Sequence, residues 1–170
     1  TTGVPKGVVL TQRNLMINTA YGVEQLGMPL LGHTMLSFLP LSHVLERTGG
    51  YYATLLNGNH IAFAENVAAV LENMEEVKPT AMVSVPRLFE KIYSRVYENV
   101  HLMTPLRKKL FHHAFDIGRE YVNKKYVTKE PLGNLALKYK FYDRLVFKKI
   151  RDKFGGRMSH FVCGGAPLDK

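Results

Sequence analysis

The sequence predicts an α/β fold: layers of parallel sheet joined by helical crossovers, with a basic helical insertion. Three observations predict it. Short apolar, β-rich runs alternate with longer stretches of helical period through the first half, the pattern of strands linked by helices. Capping and turn residues fall at the joints between them. The charge is also uneven. The net charge is +9 over 170 residues, yet positions 101–157 hold 15 Lys or Arg against 5 Asp or Glu, which is +10, and the rest hold 8 against 9, which is −1.

Each element has a local reason. "GVVL" is a short β-rich run ending at Thr11. In "TQRNLMINTAYGVEQLG", Leu15, Ile17 or Asn18, Val23 and Leu26 recur at helical rather than alternating spacing. Thr11 suits the cap at its start, and Gly27 suits a left-handed end. "TMLSFLPL" reads as a buried strand stopped by Pro40. "SHVLERTGGYYATLLNG" reads as a helix closing near Asn57 and Gly58. Its internal Gly49-Gly50 costs helix stability, so something must pack closely there or the backbone must bend.

"HIAFA" is the next strand, "NVAAVLENMEEVK" a short amphipathic helix, and "TAMVSV" a third strand. Pro86 suits the first turn of the helix after it. "RLFEKIYSRVYENVHLM" is helical up to a break at Pro105, and "LRKKLFHHAFDIGREYVNKKYV" resumes the pattern. A turn near "KEPLGN" precedes "LALKYKFYDRLVFKKIRDKFGG". "MSHFVCGGAPLDK" is a strand running into a Gly-rich turn. The organisation reads as an α/β portion over 1–97, the basic helical insertion over 98–155, and a strand with its turn over 156–170.

Composition narrows the function classes. With 46% hydrophobic and 22% charged residues, the chain can build one ordinary globular core. Its most apolar run, "MLSFLPLSHVL", is too short and too polar for a membrane span. One cysteine, Cys163, excludes an internal disulfide and a Cys-rich metal site. Cys163 reads as a small apolar residue at a buried strand end rather than a reactive thiol. The basic insertion suits anionic lipid, a polyphosphate ligand, nucleic acid, or no partner beyond solvent.

Four stretches carry candidate chemistry. In "TTGVPKGVVLTQRN", Gly3 and Gly7 let backbone N–H groups approach a ligand, Thr1 and Thr2 offer hydroxyls, and Lys6 offers a cation. Such groups neutralise a polyphosphate, although the spacing is not that of a Walker loop and a plain turn before a strand has the same composition. In "FLPLSHVLER", His43 follows the carboxyl end of a strand, where ligands of parallel sheets bind, with Glu46 at helical spacing. It could act as a general base, a carboxylate partner or a pocket wall. In "VSVPRLFEKIY", Arg87 is a surface or capping residue more readily than an anion contact. In "FVCGGAPLDK", Gly164 and Gly165 let backbone approach a flat ligand.

These stretches, in this order, resemble the adenylate-forming superfamily. "TTGVPKGVVLT" resembles its phosphate-loop signature, with Gln12 where a His is common. "PLSHVLER", "VSVPRLFEKIY" and the helical insertion ending in "LVFKKIRDKFGGRMSHFVCGGAPL" resemble the long-chain fatty-acyl-CoA synthetases within it. The resemblance spans essentially the whole chain. It implies ATP-dependent activation of a long-chain fatty acid to an acyl-adenylate and then an acyl-CoA, with ATP, Mg²⁺ and coenzyme A as cofactors. It places Thr1, Thr2, Gly3 and Lys6 on the phosphates, Lys6 and His43 at the reacting groups, and Gly164, Gly165, Ala166 and Pro167 against the adenine. The helix with Gly49, Gly50, Tyr51 and Tyr52 would help form the fatty-acid tunnel.

The resemblance further implies a fragment of the large N-terminal AMP-binding domain. The family's Tyr-Gly-x-Thr-Glu stretch, whose Glu binds Mg²⁺, and its small C-terminal domain are not in these 170 residues. No metal ligand is therefore assigned here, and the chain alone is expected to lack ligase activity. The expected location is cytoplasmic, with peripheral contact at the inner face of an anionic membrane through the insertion. A medium-chain or aryl-acid ligase is the alternative within the superfamily. A basic nucleic-acid-binding module is the rival from another class. It leaves the ordered Gly-rich stretches unexplained, and no nucleic-acid partner is expected.

Overall fold

In the computed structural model, residues 7–27 and 32–167 are described. Thr11 starts helix α1 (Gln12–Leu26) with a capping box: its hydroxyl accepts from the Asn14 amide, and the Asn14 side chain accepts from the Thr11 amide. Gly27 ends the helix in the left-handed conformation (φ 57°), as its position predicts. "GVVL" departs from expectation. It belongs to no strand, and Val8, Val9 and Leu10 are exposed. A strand needs a partner edge as well as β-branched residues, and no described strand pairs with this one.

Four strands form one parallel sheet: β1 (Thr34–Ser37), β2 (His60–Phe63), β3 (Ala81–Ser84) and β4 (His160–Cys163), in the order β2-β1-β3-β4. β1 stops at Ser37, three residues before the predicted stop at Pro40. The central strands β1 and β3 are buried almost throughout, and the edge strands β2 and β4 are only half-buried. Central strands covered on both faces read as continuous apolar runs, which is why "TMLS" and "AMVS" show little alternation.

The connections are helical. Between β1 and β2 the chain makes a wide π-type turn (Glu46–Tyr52) that continues into α2 (Ala53–Leu56). Between β2 and β3 lies α3 (Val70–Val77). Between β3 and β4 run α4 (Pro86–His101), α5 (Pro105–Val122), α6 (Asn134–Tyr142) and α7 (Lys148–Asp152). Pro86 and Pro105 each occupy a helix's first turn, where a missing N–H costs nothing. Two further π-type turns, Asn123–Thr128 and Asp143–Phe147, extend α5 and α6.

Successive strand residues supply the two cores. Met35, Ala81 and Val83 pack with Ala53, Val23, Leu39 and Leu45. Leu36 and Met82 pack with Val70, Met74, Leu88, Ile92 and Phe154. The insertion holds itself together by Phe111, Ala114, Ile117 and Leu135, and by the stacked rings of Tyr121 and Tyr139, 3.9 Å apart and 9° from parallel. Its far end is tied back to α3 by a Lys153–Glu75 ion pair of 3.1 Å.

Candidate active site at the carboxyl ends of the strands

Parallel strands deliver their following loops to one end of the sheet. After β1 come Pro40 and His43, after β3 come Val85 and Pro86, and after β4 come Gly164 and Gly165. The three loops meet. The Gly164 amide donates to the Ser84 carbonyl at 3.1 Å. A β-carbon on Gly164 would stand 3.2 Å from Leu45 Cδ2, and one on Gly165 would stand 3.8 Å from Val85 Cγ1. The two predicted stretches "PLSHVLER" and "CGGAP" are thus neighbours through Leu45 and Gly164.

His43 is exposed and held by its own loop. Its amide donates to the Pro40 carbonyl (2.9 Å), and its carbonyl accepts from the Arg47 amide (3.0 Å). Its Nδ1 accepts from the Leu45 amide at 3.2 Å. A neutral ring that accepts at Nδ1 carries its proton on Nε2. In this arrangement the outer nitrogen is a donor, suited to an anionic oxygen and unsuited to removing a proton. Arg47 closes the same loop with Nε donating to the Leu41 carbonyl at 2.8 Å.

The wide turn explains the glycine pair. Glu46 is fully buried, and a β-carbon on residue 50 would lie 2.5 Å from its Oε1 and 2.8 Å from its Cδ. A β-carbon on Gly49 would stand 3.6 Å from Val83 Cγ2. Both predicted consequences occur together: close packing and a backbone departing from the α-helix. The hydroxyl of Thr54 donates to the Gly50 carbonyl within the turn. Burial pushes the Glu46 carboxyl above its usual pKa, and the Ser37 hydroxyl opposes this only in part. Among the described residues neither carboxylate oxygen has a partner at hydrogen-bond geometry.

Thr1, Thr2, Gly3 and Lys6 lie outside the described residues. Gly165, Ala166 and Pro167 are described and exposed, and Cys163 beside them is half-buried. Sequence reasoning missed Leu45, Ser84 and Val85, whose roles are contacts between loops distant in sequence. Glu46 was legible only as a residue at helical spacing from His43.

The family model described as "AMP-binding enzyme" matches residues 1–170. The chain belongs to that family. It is 35% identical to Long chain acyl-CoA synthetase 7, peroxisomal, of Arabidopsis thaliana, over 99% of this chain and 22% of that protein. It is 32% identical to Long-chain-fatty-acid–CoA ligase ACSBG2 of Homo sapiens, over 100% of this chain and 26% of that one. It is 35% identical to Long-chain-fatty-acid–CoA ligase FadD15 of Mycobacterium tuberculosis, over 99% of this chain and 28% of that one. The chain spans about a quarter of the length of these curated relatives. No solved structure matches it.

At the strand ends of this family member the turn after β4 is open to solvent. Gly165, Ala166 and Pro167 there are exposed and carry no charged side chain. Among the described residues no three His, Cys, Asp or Glu side chains gather to hold a metal ion.

Proposed function

We propose that this chain is part of the N-terminal AMP-binding domain of a long-chain fatty acid–CoA ligase. The observation that carries the reading is the junction of Leu45 with Gly164, which joins the His43 loop to the glycine turn at one end of a parallel sheet. The matches to long-chain acyl-CoA synthetases, which run over essentially all of this chain, support the substrate class.

In this reading the fatty-acid carboxylate attacks the α-phosphorus of ATP, forming an acyl phosphate anhydride and expelling pyrophosphate. The thiol of coenzyme A then attacks the acyl carbon and expels AMP. Both steps place negative charge on oxygen, so oriented donors matter more than a covalent nucleophile. Nε2–H of His43 donates to a carboxylate oxygen and orients it. The backbone from Gly164 to Pro167 walls the adenine. Thr1, Thr2, Gly3 and Lys6 hold the β- and γ-phosphates. Mg²⁺, when bound, supplies charge neutralisation at those phosphates, and this chain's described residues provide no ligand set for it.

Palmitate-dependent ATP–pyrophosphate exchange by the full-length protein containing this chain tests the reading. Wild type should exchange, and His43→Ala and Lys6→Ala should each lose about 10²-fold or more. Exchange with an aryl or medium-chain acid but not palmitate would move the assignment within the family. No exchange with any carboxylic acid would overturn it.

The insertion supports a location for the reaction. A groove of about 680 Å³ on it is lined by Phe115, Val122, Tyr139 and Phe147, with Arg119 and Glu120 among its polar residues. Tyr126, Leu137 and Phe141 are also exposed on this basic segment. We propose that this surface rests on anionic membrane, with aromatic residues at the headgroup level. No described helix is long and apolar enough to cross a membrane. Binding to phosphatidylserine vesicles should exceed binding to phosphatidylcholine vesicles and weaken with salt. Equal partitioning to both would remove this part of the reading.

A further inference from the structure

The buried carboxyl of Glu46 takes no direct part in the proposed reaction. Isolated burial of a carboxylate costs several kcal/mol, and burial raises the pKa of the Glu46 carboxyl against only a partial opposing effect of the Ser37 hydroxyl, with neither oxygen at hydrogen-bond geometry to a partner. Its cradle is specific. Only a residue without a β-carbon at position 50 leaves room for Oε1, one wide turn further along the same helix. The turn it shapes runs from Glu46 to Tyr52, and π-type turns of this kind are energetically poor without such compensation.

The turn begins where the His43 loop ends. Arg47, next to Glu46, reaches outward and holds the carbonyls of Leu41 and His43. Leu45, on the other side of Glu46, donates to Nδ1 of His43 and packs against Gly164. The orientation of the His43 ring therefore depends on the two residues that flank Glu46. We propose that Glu46, seated on Gly50, is a positioning residue for His43: it fixes the turn that sets Leu45 and Arg47, and through them the ring and its donor nitrogen.

The part of this inference that concerns rate rests on the ligase reading above; the part that concerns His43 geometry does not. Both are tested on the full-length protein containing this chain, with Glu46→Gln, Glu46→Ala and the pair Glu46→Ala/His43→Ala. Glu46→Gln keeps the shape and volume that fill the cradle over Gly50, so it should retain activity within about threefold. Glu46→Ala should lower kcat for fatty-acid-dependent adenylation about 10- to 100-fold, the effect of small misplacement of a reacting group. In the His43→Ala background the same change should cost nothing further.

The second readout is the ¹⁵N signature of His43, which reports whether Nδ1 accepts or donates. Wild type and Glu46→Gln should both show Nδ1 as acceptor, and Glu46→Ala should lose that state. Additive losses in the double variant, or an unchanged His43 signature in a folded Glu46→Ala protein, would overturn the proposal. If wild type fails to adenylate any acid, the ligase reading fails while the His43 signature still decides the positioning role. Should Glu46→Ala fail to fold, Gly50→Ala replaces it, because its β-carbon displaces the same carboxyl and should give the same loss of the His43 signature.

Discussion

Leu45 and Gly164 touch across the carboxyl end of the sheet, with two leucine methyls 3.2 and 3.3 Å from the place of a β-carbon on Gly164. One residue sits in the His43 loop after β1 and the other in the turn after β4, so a change at one is felt at the other. Gly164→Ala should push the leucine aside by a few tenths of an ångström and cost about 1–3 kcal/mol. In the full-length protein it should also weaken binding of an adenine nucleotide. Leu45→Ala, which removes a side chain packed on the core, should cost less in the Gly164→Ala background than in wild type, because the crowded methyls are gone. Denaturant unfolding of the two single variants and the double variant measures the coupling. Strictly additive costs would mean that the contact carries no energy.

Gly155 closes the insertion against the rest of the fold. Its φ is +81°, a region that side chains disfavour, and a β-carbon there would lie 2.5 Å from Lys78 Cα and from the Met74 carbonyl. Backbone cannot step aside as a leucine methyl can. Gly155→Ala therefore meets both strain and collision, and should cost at least about 2 kcal/mol. Thermal unfolding checks this. A Tm within about a degree of wild type would show that the junction is loose. Gly118→Ala, by contrast, meets only the ring of Phe147, at 2.8 Å, and a ring edge can shift.

What the sequence made legible was chemistry local to a few residues. The Thr11 cap, the Gly27 end and the prolines at 86 and 105 each act within one turn of chain, so spacing alone reveals them. Strand and helix alternation likewise gave the parallel sheet. Pairing was less legible. "GVVL" has the residues of a strand, but strandhood depends on an edge that those residues do not contain. The end of β1 at Ser37 follows from where β2 stops pairing, at Phe63, rather than from Pro40.

The candidate site divides the same way. His43 and the glycine turn were visible as residue types placed after strands, yet their meeting through Leu45 requires the fold. The glycine pair at 49 and 50 announced an obstacle without naming it. That obstacle is the Glu46 carboxyl, four residues back on the same helix, and its burial over Gly50 is set by the packing of the wide turn, which spacing does not reveal.

Asp143 and Arg151 form a two-point contact, Nη1 to Oδ1 at 2.6 Å and Nη2 to Oδ2 at 2.8 Å. The contact bridges the π-type turn after α6 to α7. The hydrogen bonds from Arg151 hold the Asp143 carboxyl below its ordinary value of 3.8, against a smaller opposing effect of burial. The sign follows. The folded state binds this proton less tightly than the unfolded chain, so the contribution is complete above about pH 4 and is lost as pH falls through the lowered pKa. Both side chains are partly solvated, at 28% and 50% exposure, which limits the contribution to about 1 kcal/mol. Asp143→Asn should lower stability by that amount at pH 7, and the gap between variant and wild type should close progressively below pH 4. Urea unfolding at several pH values measures it. A gap that stays constant into strong acid would mean that Asp143 acts through packing and not through its charge.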